Sequence, residues 1–233
     1  VELFYSIFDL SYSFRLGTRP ESFLGNIKTW DRAEATLKKI LKESDQEYTI
    51  KEGDGAFYGP KIDILMKDTL GREWQMGTIQ LDFQQPSRFK LEYTDKDGSK
   101  KTPVAIHRVV YGSMERFIGI LIEHFAGAFP LWLAPVQVEI IPVSEKFEKY
   151  SETIKETLKK EDIRVLMNSA DETLGKRIRN SEMMKIPYVL VVGEKEEKGG
   201  TVNVRHYKEG QIGELSAEDF IKKLTKEIKD KKI

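Results

Sequence analysis

The chain has 233 residues, enough for one or two domains with a substantial core. Its 38 basic and 38 acidic side chains give a formal net charge of zero, which excludes nucleic-acid binding driven by bulk positive charge. The lack of cysteine excludes disulfides and thiolate metal ligands within these residues and is compatible with a reducing compartment, and the longest apolar region is broken by charges and prolines, which argues against a membrane span.

The first half of the chain predicts an antiparallel sheet with helices packed on one side. A helix is expected over residues 28–44, and DTLGR and DKDG mark turns. The strand-like runs are SFRLGT, KIDILMKD, REWQMGTIQLDF and TPVAIHRVV.

A glycine-rich segment, GDGAFYGPKIDI, precedes the second of these runs. Gly53, Gly55 and Gly59 permit a close backbone approach, and Tyr58 beside them offers a flat ring and a hydroxyl. Two interpretations stay open: a ligand-binding loop, or a plain glycine-rich turn.

The run WQMGTIQLDF predicts an unusually polar strand. Strict alternation places Thr78, Gln80 and Asp82 on one face, whereas Gln75 has the opposite parity. If Gln75 and Thr78 serve one site, a β-bulge is needed, and Gly77 is the residue that would allow it. A solvent-facing polar strand is the alternative.

The segment HRVVYGSMERFIGILIEHFAGAF predicts a strand followed by an interior helix that begins after Gly112, because apolar residues cover most of its circumference. Arg116 lies in this helix with Ser113 one turn before it, and a buried guanidinium requires a carboxylate or phosphate partner. The alternative is that Arg116 pairs with Glu123 and that His107, on the preceding strand, is a core histidine.

The pattern changes at PLWLAPVQVEIIPV, where Pro130 and Pro135 bracket a short connector. Strand and helix then alternate, which predicts a small three-layer α/β domain. We therefore expect domains at 1–133 and 134–233.

Charged residues of this second half are candidates for one binding edge. Arg177, Arg179 and Lys185 lie on or near a predicted helix, Glu196 follows a strand, and Arg205 and His206 lie on the next strand. Four of these residues could converge on one edge: Arg179, Glu196, Arg205 and His206. A mixed set of donors and acceptors suits base-edge recognition of single-stranded RNA. A solvated rim is the alternative.

The chain resembles the C-terminal part of the threonyl-tRNA synthetase family, which are class II aminoacyl-tRNA synthetases, over essentially its whole length. The order and spacing of the motifs carry the resemblance. They are GTRPE, GAFYGPKID, WQMGTIQLDFQQPSR, IHRVVYGSMERFIGILIEHFAG, WLAPVQV and IPYVLVVGEKE. The implied fold is part of the α+β antiparallel class II catalytic core, followed by a small α/β anticodon-binding domain.

The resemblance implies an enzyme that activates L-threonine with ATP and Mg²⁺, forms threonyl-adenylate, and transfers the threonyl group to tRNA(Thr). It also implies a cytoplasmic homodimer. Arg116 matches the arginine of the third class II motif, which holds ATP. The resemblance implies that Arg116 and Gln75 are the catalytic residues of this chain. The remaining matched positions are Gln75, Thr78 and Ser113 at the ATP site, and Tyr58, Gln80 and Ser113 at the threonine site.

The resemblance also makes His107 a zinc ligand, with a cysteine and a histidine expected upstream. Open zinc positions would take the amine and hydroxyl of threonine, so that valine, which lacks the hydroxyl, is rejected. Serine would be poorly rejected, and the separate editing domain that family members use is not in this sequence.

In the second domain, Arg179, Glu196 and Arg205 match positions that contact the anticodon. Asp171 stands where family members have an asparagine that reads a base. An aspartate offers no amide donors, so the base contacts are expected to differ there.

Several parts of the family's catalytic apparatus are expected to lie outside this chain: the dimer-forming first motif, the arginine that binds the α-phosphate, and two zinc ligands. The chain alone is therefore expected to be inactive. The alternatives are a synthetase for proline, histidine or glycine, which the placement of His107 disfavours, and a non-catalytic RNA-binding or regulatory homologue.

Overall fold

The structure is a computed structural model that describes all residues from 1 to 233. The chain forms two compact units, Val1–Glu123 and His124–Ile233. No helix is both long enough and apolar enough to cross a membrane.

The first unit is built on a five-stranded sheet with the strand order β2-β1-β3-β4-β7, in which all pairs are antiparallel except β1 with β2. A separate two-stranded hairpin pairs β5 with β6. The elements are α1 (Glu2–Ser6), β1 (Ser13–Gly17), α2 (Ile27–Glu43), β2 (Tyr48–Lys51), β3 (Lys61–Lys67), β4 (Glu73–Asp82), α3 (Gln85–Arg88), β5 (Tyr93–Thr94), β6 (Lys100–Lys101), β7 (Ala105–Val109) and α4 (Met114–His124). The four predicted strands and the predicted helix are confirmed, whereas β2 and its parallel pairing were not anticipated.

Helix α2 forms where a cap and an apolar stripe coincide. Its N-cap, Asn26, accepts a hydrogen bond from a main-chain N–H of the first turn. Trp30, Ala33, Leu37 and Leu41 follow the helical period and are buried. The helix therefore covers one face of the unit with a single apolar stripe.

Helix α4 is amphipathic, and the prediction of an interior helix was wrong. Only the side that carries Phe117, Ile120 and Leu121 is buried. The opposite side exposes Met114, Ile118 and Ile122. Apolar periodicity does not reveal how many sides of a helix are covered, since that depends on what packs against it.

The second unit is a sheet with the strand order β12-β11-β10-β8-β9, parallel from β9 through β8 to β10 and antiparallel beyond. A short 3₁₀ turn at Glu145–Phe147 leads into its first long helix. The elements are β8 (Val138–Pro142), α5 (Glu148–Lys160), β9 (Val165–Met167), α6 (Leu174–Met183), β10 (Tyr188–Val192), α7 (Glu194–Gly199), β11 (Thr201–His206), β12 (Gly210–Ser216) and α8 (Ala217–Lys229). The predicted α/β alternation is confirmed, whereas α7 and β12 were missed.

Arg177 serves the fold of this unit. Its side chain is buried, and its guanidinium donates hydrogen bonds only to main-chain carbonyls. The acceptors are Pro142, Val143, Ser169 and Glu172. A buried guanidinium can thus be satisfied without the carboxylate or phosphate that we expected as its partner.

Candidate active site and RNA-binding residues

A β-bulge in β4 brings Gln75 onto the same face as Thr78. Gly77 lies opposite Ile64, but the next residue of β3, Leu65, lies opposite Gln75 and not Met76. The register therefore shifts by one residue at Met76. A Cβ on Gly77 would lie 2.5 Å from the carbonyl oxygen of Val110, so only glycine fits. The structure therefore contains the bulge at Gly77 that the sequence required if Gln75 and Thr78 are to share a face.

The sheet register arranges polar side chains in two rows across one face. Residues that are directly opposite on antiparallel strands project to the same side of a sheet. The first row is Arg15, Asp63 and Thr78, and the second is Lys61, Gln80 and His107. The face that the sequence indicated on β4 therefore continues over three neighbouring strands.

Arg116 lies at the start of α4, where its guanidinium is exposed. Its Nη1 donates to the main-chain oxygen of Gln75 at 2.9 Å, and the guanidinium carbon lies 5.5 Å from the centre of the Trp74 ring. Its own main-chain N–H donates to the hydroxyl of Ser113 at 3.2 Å. The expected burial of Arg116 was wrong, and so was its pairing with Glu123, which instead accepts from Thr69.

His107 belongs to a group of side chains at the end of β4. Its Nε2 lies 3.0 Å from Oδ2 of Asp82, and its ring lies 6.4 Å from that of Tyr58. Oδ1 of Asp82 accepts the main-chain N–H groups of Gln84 and Gln85. Burial raises the pKa of Asp82, but the hydrogen bonds from Gln85, His107 and Gln84 outweigh it and lower that pKa below its ordinary value.

This arrangement fits one ligand of a metal site and not a whole one. When Nε2 donates to the Asp82 carboxylate, Nδ1 of His107 keeps its lone pair for a metal, which is the usual carboxylate–histidine arrangement at zinc. Within residues 1–233, no group of three or more His, Cys, Asp or Glu side chains could hold a metal ion. Zinc would therefore need further ligands from outside this chain.

The glycine-rich segment approaches the chain's own backbone. A Cβ on Gly59 would lie 1.9 Å from the carbonyl oxygen of Leu81. The carbonyl of Tyr58 accepts the N–H of Phe83 at 3.1 Å. Gly59 therefore allows the segment to lie against the end of β4, which brings the Tyr58 ring near His107.

The sequence interpretation missed the charged residues on β1 and β3. Nζ of Lys61 lies 2.8 Å from Oδ2 of Asp63 and 3.2 Å from Asp54, and the guanidinium of Arg15 lies 3.5 Å from Asp63. Lys61 and Asp63 alternate with buried isoleucines in KIDI, and that alternation in an otherwise apolar strand was the available signal.

The predicted RNA-binding residues of the second unit are not joined by contacts. Arg179 is exposed on α6, and Arg205 lies 3.3 Å from Glu182. Glu196 is buried, and its carboxylate accepts the N–H of Gly193 at 2.9 Å, which caps α7. Neither arginine contacts Glu196, so their convergence on one RNA edge stays a prediction.

Two families match the chain, one for each half. The family described as the tRNA synthetase class II core domain (G, H, P, S and T) matches residues 8–125, and the anticodon binding domain family matches residues 137–227.

The chain is similar throughout its length to curated proteins named threonine–tRNA ligase. It is 51% identical over 231 residues to that of Caldanaerobacter subterraneus and 52% identical over 233 residues to that of Clostridium kluyveri. These matches cover 99% and 100% of the chain but 36% of each relative. The chain thus spans about a third of the length of these relatives.

A solved structure has the same fold over nearly all of the chain. The RNA binding domain of threonyl-tRNA synthetase from Cryptosporidium parvum superposes with a TM-score of 0.84 and 36% identity, covering 96% of this chain and 56% of that one.

Proposed function

Because the chain belongs to the class II core family of tRNA synthetases and carries an anticodon-binding domain, we propose that it is the C-terminal part of a threonine–tRNA ligase. The complete enzyme would activate L-threonine with ATP and Mg²⁺ and transfer it to tRNA(Thr), as a cytoplasmic homodimer. Residues 1–133 would belong to its catalytic domain and residues 134–233 to its anticodon-binding domain. The observation that carries this proposal is the continuous polar face of the sheet, with the exposed Arg116 beside it.

ATP would bind where Arg116, Gln75 and Thr78 meet. The guanidinium of Arg116 has no carboxylate partner and keeps donors available for a phosphate, and the Trp74 ring and the Gln75 carbonyl fix its plane. Ser113 anchors the first turn of the helix that carries it. These residues would hold ATP in line while the threonine carboxylate attacks the α-phosphorus, the bond to the β-phosphate breaks and pyrophosphate leaves. Arg116 would stabilise negative charge on the departing phosphates.

Threonine would bind in the adjoining row of the same face, beside Tyr58 and Gln80, with Ser113 shared between the ATP and threonine sites. Gln80 lies directly opposite His107, and Asp82 holds that ring. A zinc ion held by His107 and by ligands from outside this chain would supply open positions for the amine and hydroxyl of threonine. Asp82 would keep the His107 ring in the tautomer that offers Nδ1.

The second domain would recognise the anticodon through Arg179, Glu196 and Arg205. The N–H of Gly193 occupies one oxygen of Glu196 and leaves the other free to accept from a base. Arg205 would exchange its exposed ion pair with Glu182 for an RNA contact at little cost, because exposed ion pairs contribute only about 0–1 kcal/mol.

The test is amino-acid-dependent ATP–pyrophosphate exchange by the protein at the full length of its relatives. Threonine should support exchange, and proline, histidine and glycine should not. Exchange with one of those three amino acids would assign a different class II synthetase. No exchange with any amino acid, together with retained tRNA binding, would favour the non-catalytic RNA-binding alternative.

The 233-residue chain assayed alone is expected to form no measurable adenylate, because part of the catalytic apparatus is expected outside it. Adenylate formation by the isolated chain would contradict this.

A further inference from the structure

Asp63 is a carboxylate in the middle of an otherwise apolar strand. Its side chain is fully buried in β3, between the buried Ile62 and Ile64. Burying a carboxylate costs free energy that partner groups must offset, and aspartate is depleted from strand interiors. Its presence there calls for a role beyond packing.

Asp63 holds the exposed side chain of Gln75. Nε2 of Gln75 donates to Oδ1 of Asp63 at 2.7 Å across the bulged strand pair. Because a carboxylate only accepts hydrogen bonds, the NH₂ group of the amide must face Asp63. Oε1 of Gln75 is then the atom left to accept a hydrogen bond from a ligand.

The neighbouring cations do not depend on Asp63 alone. Arg15 also contacts Glu73 at 2.9 Å, and Lys61 also contacts Asp54 at 3.2 Å. The Gln75 amide, in contrast, has Asp63 as its one hydrogen-bond partner in residues 1–233. If the Asp63 carboxylate were removed, the Gln75 amide would therefore be the group left without a hydrogen-bond partner.

We propose that Asp63 is a positioning residue that fixes the Gln75 amide with its oxygen directed to the nucleotide. This inference rests on the proposed function, in which Gln75 contacts ATP. Asp63 acts through the side chain of Gln75, while Arg116 holds the main chain of the same residue, so that Gln75 is constrained from both sides before ATP binds. The oxygen would select a hydrogen-bond donor, a hydroxyl or an amino group of the nucleotide.

A double-mutant cycle on the full-length enzyme tests this, with threonine-dependent ATP–pyrophosphate exchange as the assay. In Asp63→Asn, the new amide turns its oxygen to Lys61 and its NH₂ to Gln75, which reverses the Gln75 amide. The KM for ATP should rise about 10-fold in the native background and less than about 2-fold in the Gln75→Ala background. The KM for threonine should stay unchanged.

Glu139→Gln is the matched control, since Glu139 is a buried carboxylate of the second unit that is bonded to Asn168 at 2.9 Å. It should lower the melting temperature without changing the KM for ATP. If Asp63→Asn does not fold, Asp63→Ser carries the same cycle.

An equal rise in both backgrounds, or an unchanged KM for ATP, would overturn the role of Asp63. If the native enzyme itself lacks threonine-dependent exchange, the proposed function fails first, so the two failures are distinguishable.

Discussion

Two arginines of this chain illustrate how surroundings decide the use of a guanidinium. The guanidinium of Arg177 is buried and donates its hydrogen bonds to main-chain carbonyls, whereas that of Arg116 is exposed and donates to one main-chain carbonyl. Burial therefore identifies the structural arginine, and the unfilled donors identify the one available to an anion.

Replacing Arg116 should affect catalysis and leave folding intact. Arg116→Ala in the full-length enzyme should lower kcat/KM for ATP by about 100-fold or more, because donors aimed at developing charge contribute effects of that size. Exchange kinetics measure the loss, and thermal unfolding should be unchanged. Arg32→Ala, an exposed arginine on α2, is the control. An activity within 2-fold of the native enzyme would remove Arg116 from the ATP site.

Replacing Asp82 should weaken metal binding through His107. In Asp82→Asn the carboxylate that holds the ring is lost, and zinc affinity should fall about 10- to 100-fold. Metal content of the full-length protein after dialysis against a chelator measures this. Asp95→Asn, a carboxylate bonded to Lys101 in the β5–β6 hairpin, should change nothing. Equal zinc retention in both variants would contradict the role of Asp82 in holding His107 for a metal.

Among the secondary-structure elements, β4 was the most predictable, because both the alternation of its polar residues and the opposite parity of Gln75 can be read from the sequence. Alternation indicated the polar face. The opposite parity of Gln75 required a bulge at Gly77 only on the assumption that Gln75 and Thr78 serve one site, and the structure contains that bulge. The exposure of one side of α4 was not predictable, because apolar residues occur on both sides of the helix and the sequence does not show which side is covered by the rest of the unit. The rows across β1, β3 and β4 depend on pairings between distant segments, which no local pattern determines.

The close packing around Gly77 in the bulge should make the free energy of unfolding sensitive to a side chain at this position. Gly77→Ala should destabilise the first unit by about 1–3 kcal/mol, because its Cβ would meet the Val110 carbonyl. Gly119→Ala, in α4 with open space around the new methyl group, should stabilise it by about 0.5–1 kcal/mol. Denaturant unfolding of the chain measures both. A Gly77→Ala variant as stable as the native chain would mean that the bulge has room for a side chain.

Asp68, in the turn between β3 and β4, should make the free energy of unfolding depend on pH. The Trp74 indole and the side chain and N–H of Arg72 donate to Asp68 and lower its pKa from 3.8 to about 2. A carboxyl group with a lowered pKa in the folded state stabilises the fold above its unfolded pKa, and that contribution is lost as the pH falls towards 2. The difference in unfolding free energy between native and Asp68→Asn chains should therefore shrink between pH 5 and pH 2. A difference that is constant with pH would contradict this.

At the scale of the whole molecule, each half carries one part of the proposed reaction. The first unit presents the polar face proposed for ATP and threonine, and the second carries the residues proposed for the anticodon. The family of each half was evident from ordered motifs, whereas the geometry that joins Asp63 to Gln75 needed the structure.

Aminoacylation is the decisive assay of the proposed function, because it requires both halves of the chain at once. The full-length protein, supplied with ATP, Mg²⁺ and labelled threonine, should charge a tRNA transcript that bears a threonine anticodon. It should charge a transcript that differs only in its anticodon far more slowly, and Arg205→Ala should reduce the difference. Failure to charge the threonine transcript would contradict the proposed function, and equal charging of both transcripts would contradict anticodon recognition by the second domain.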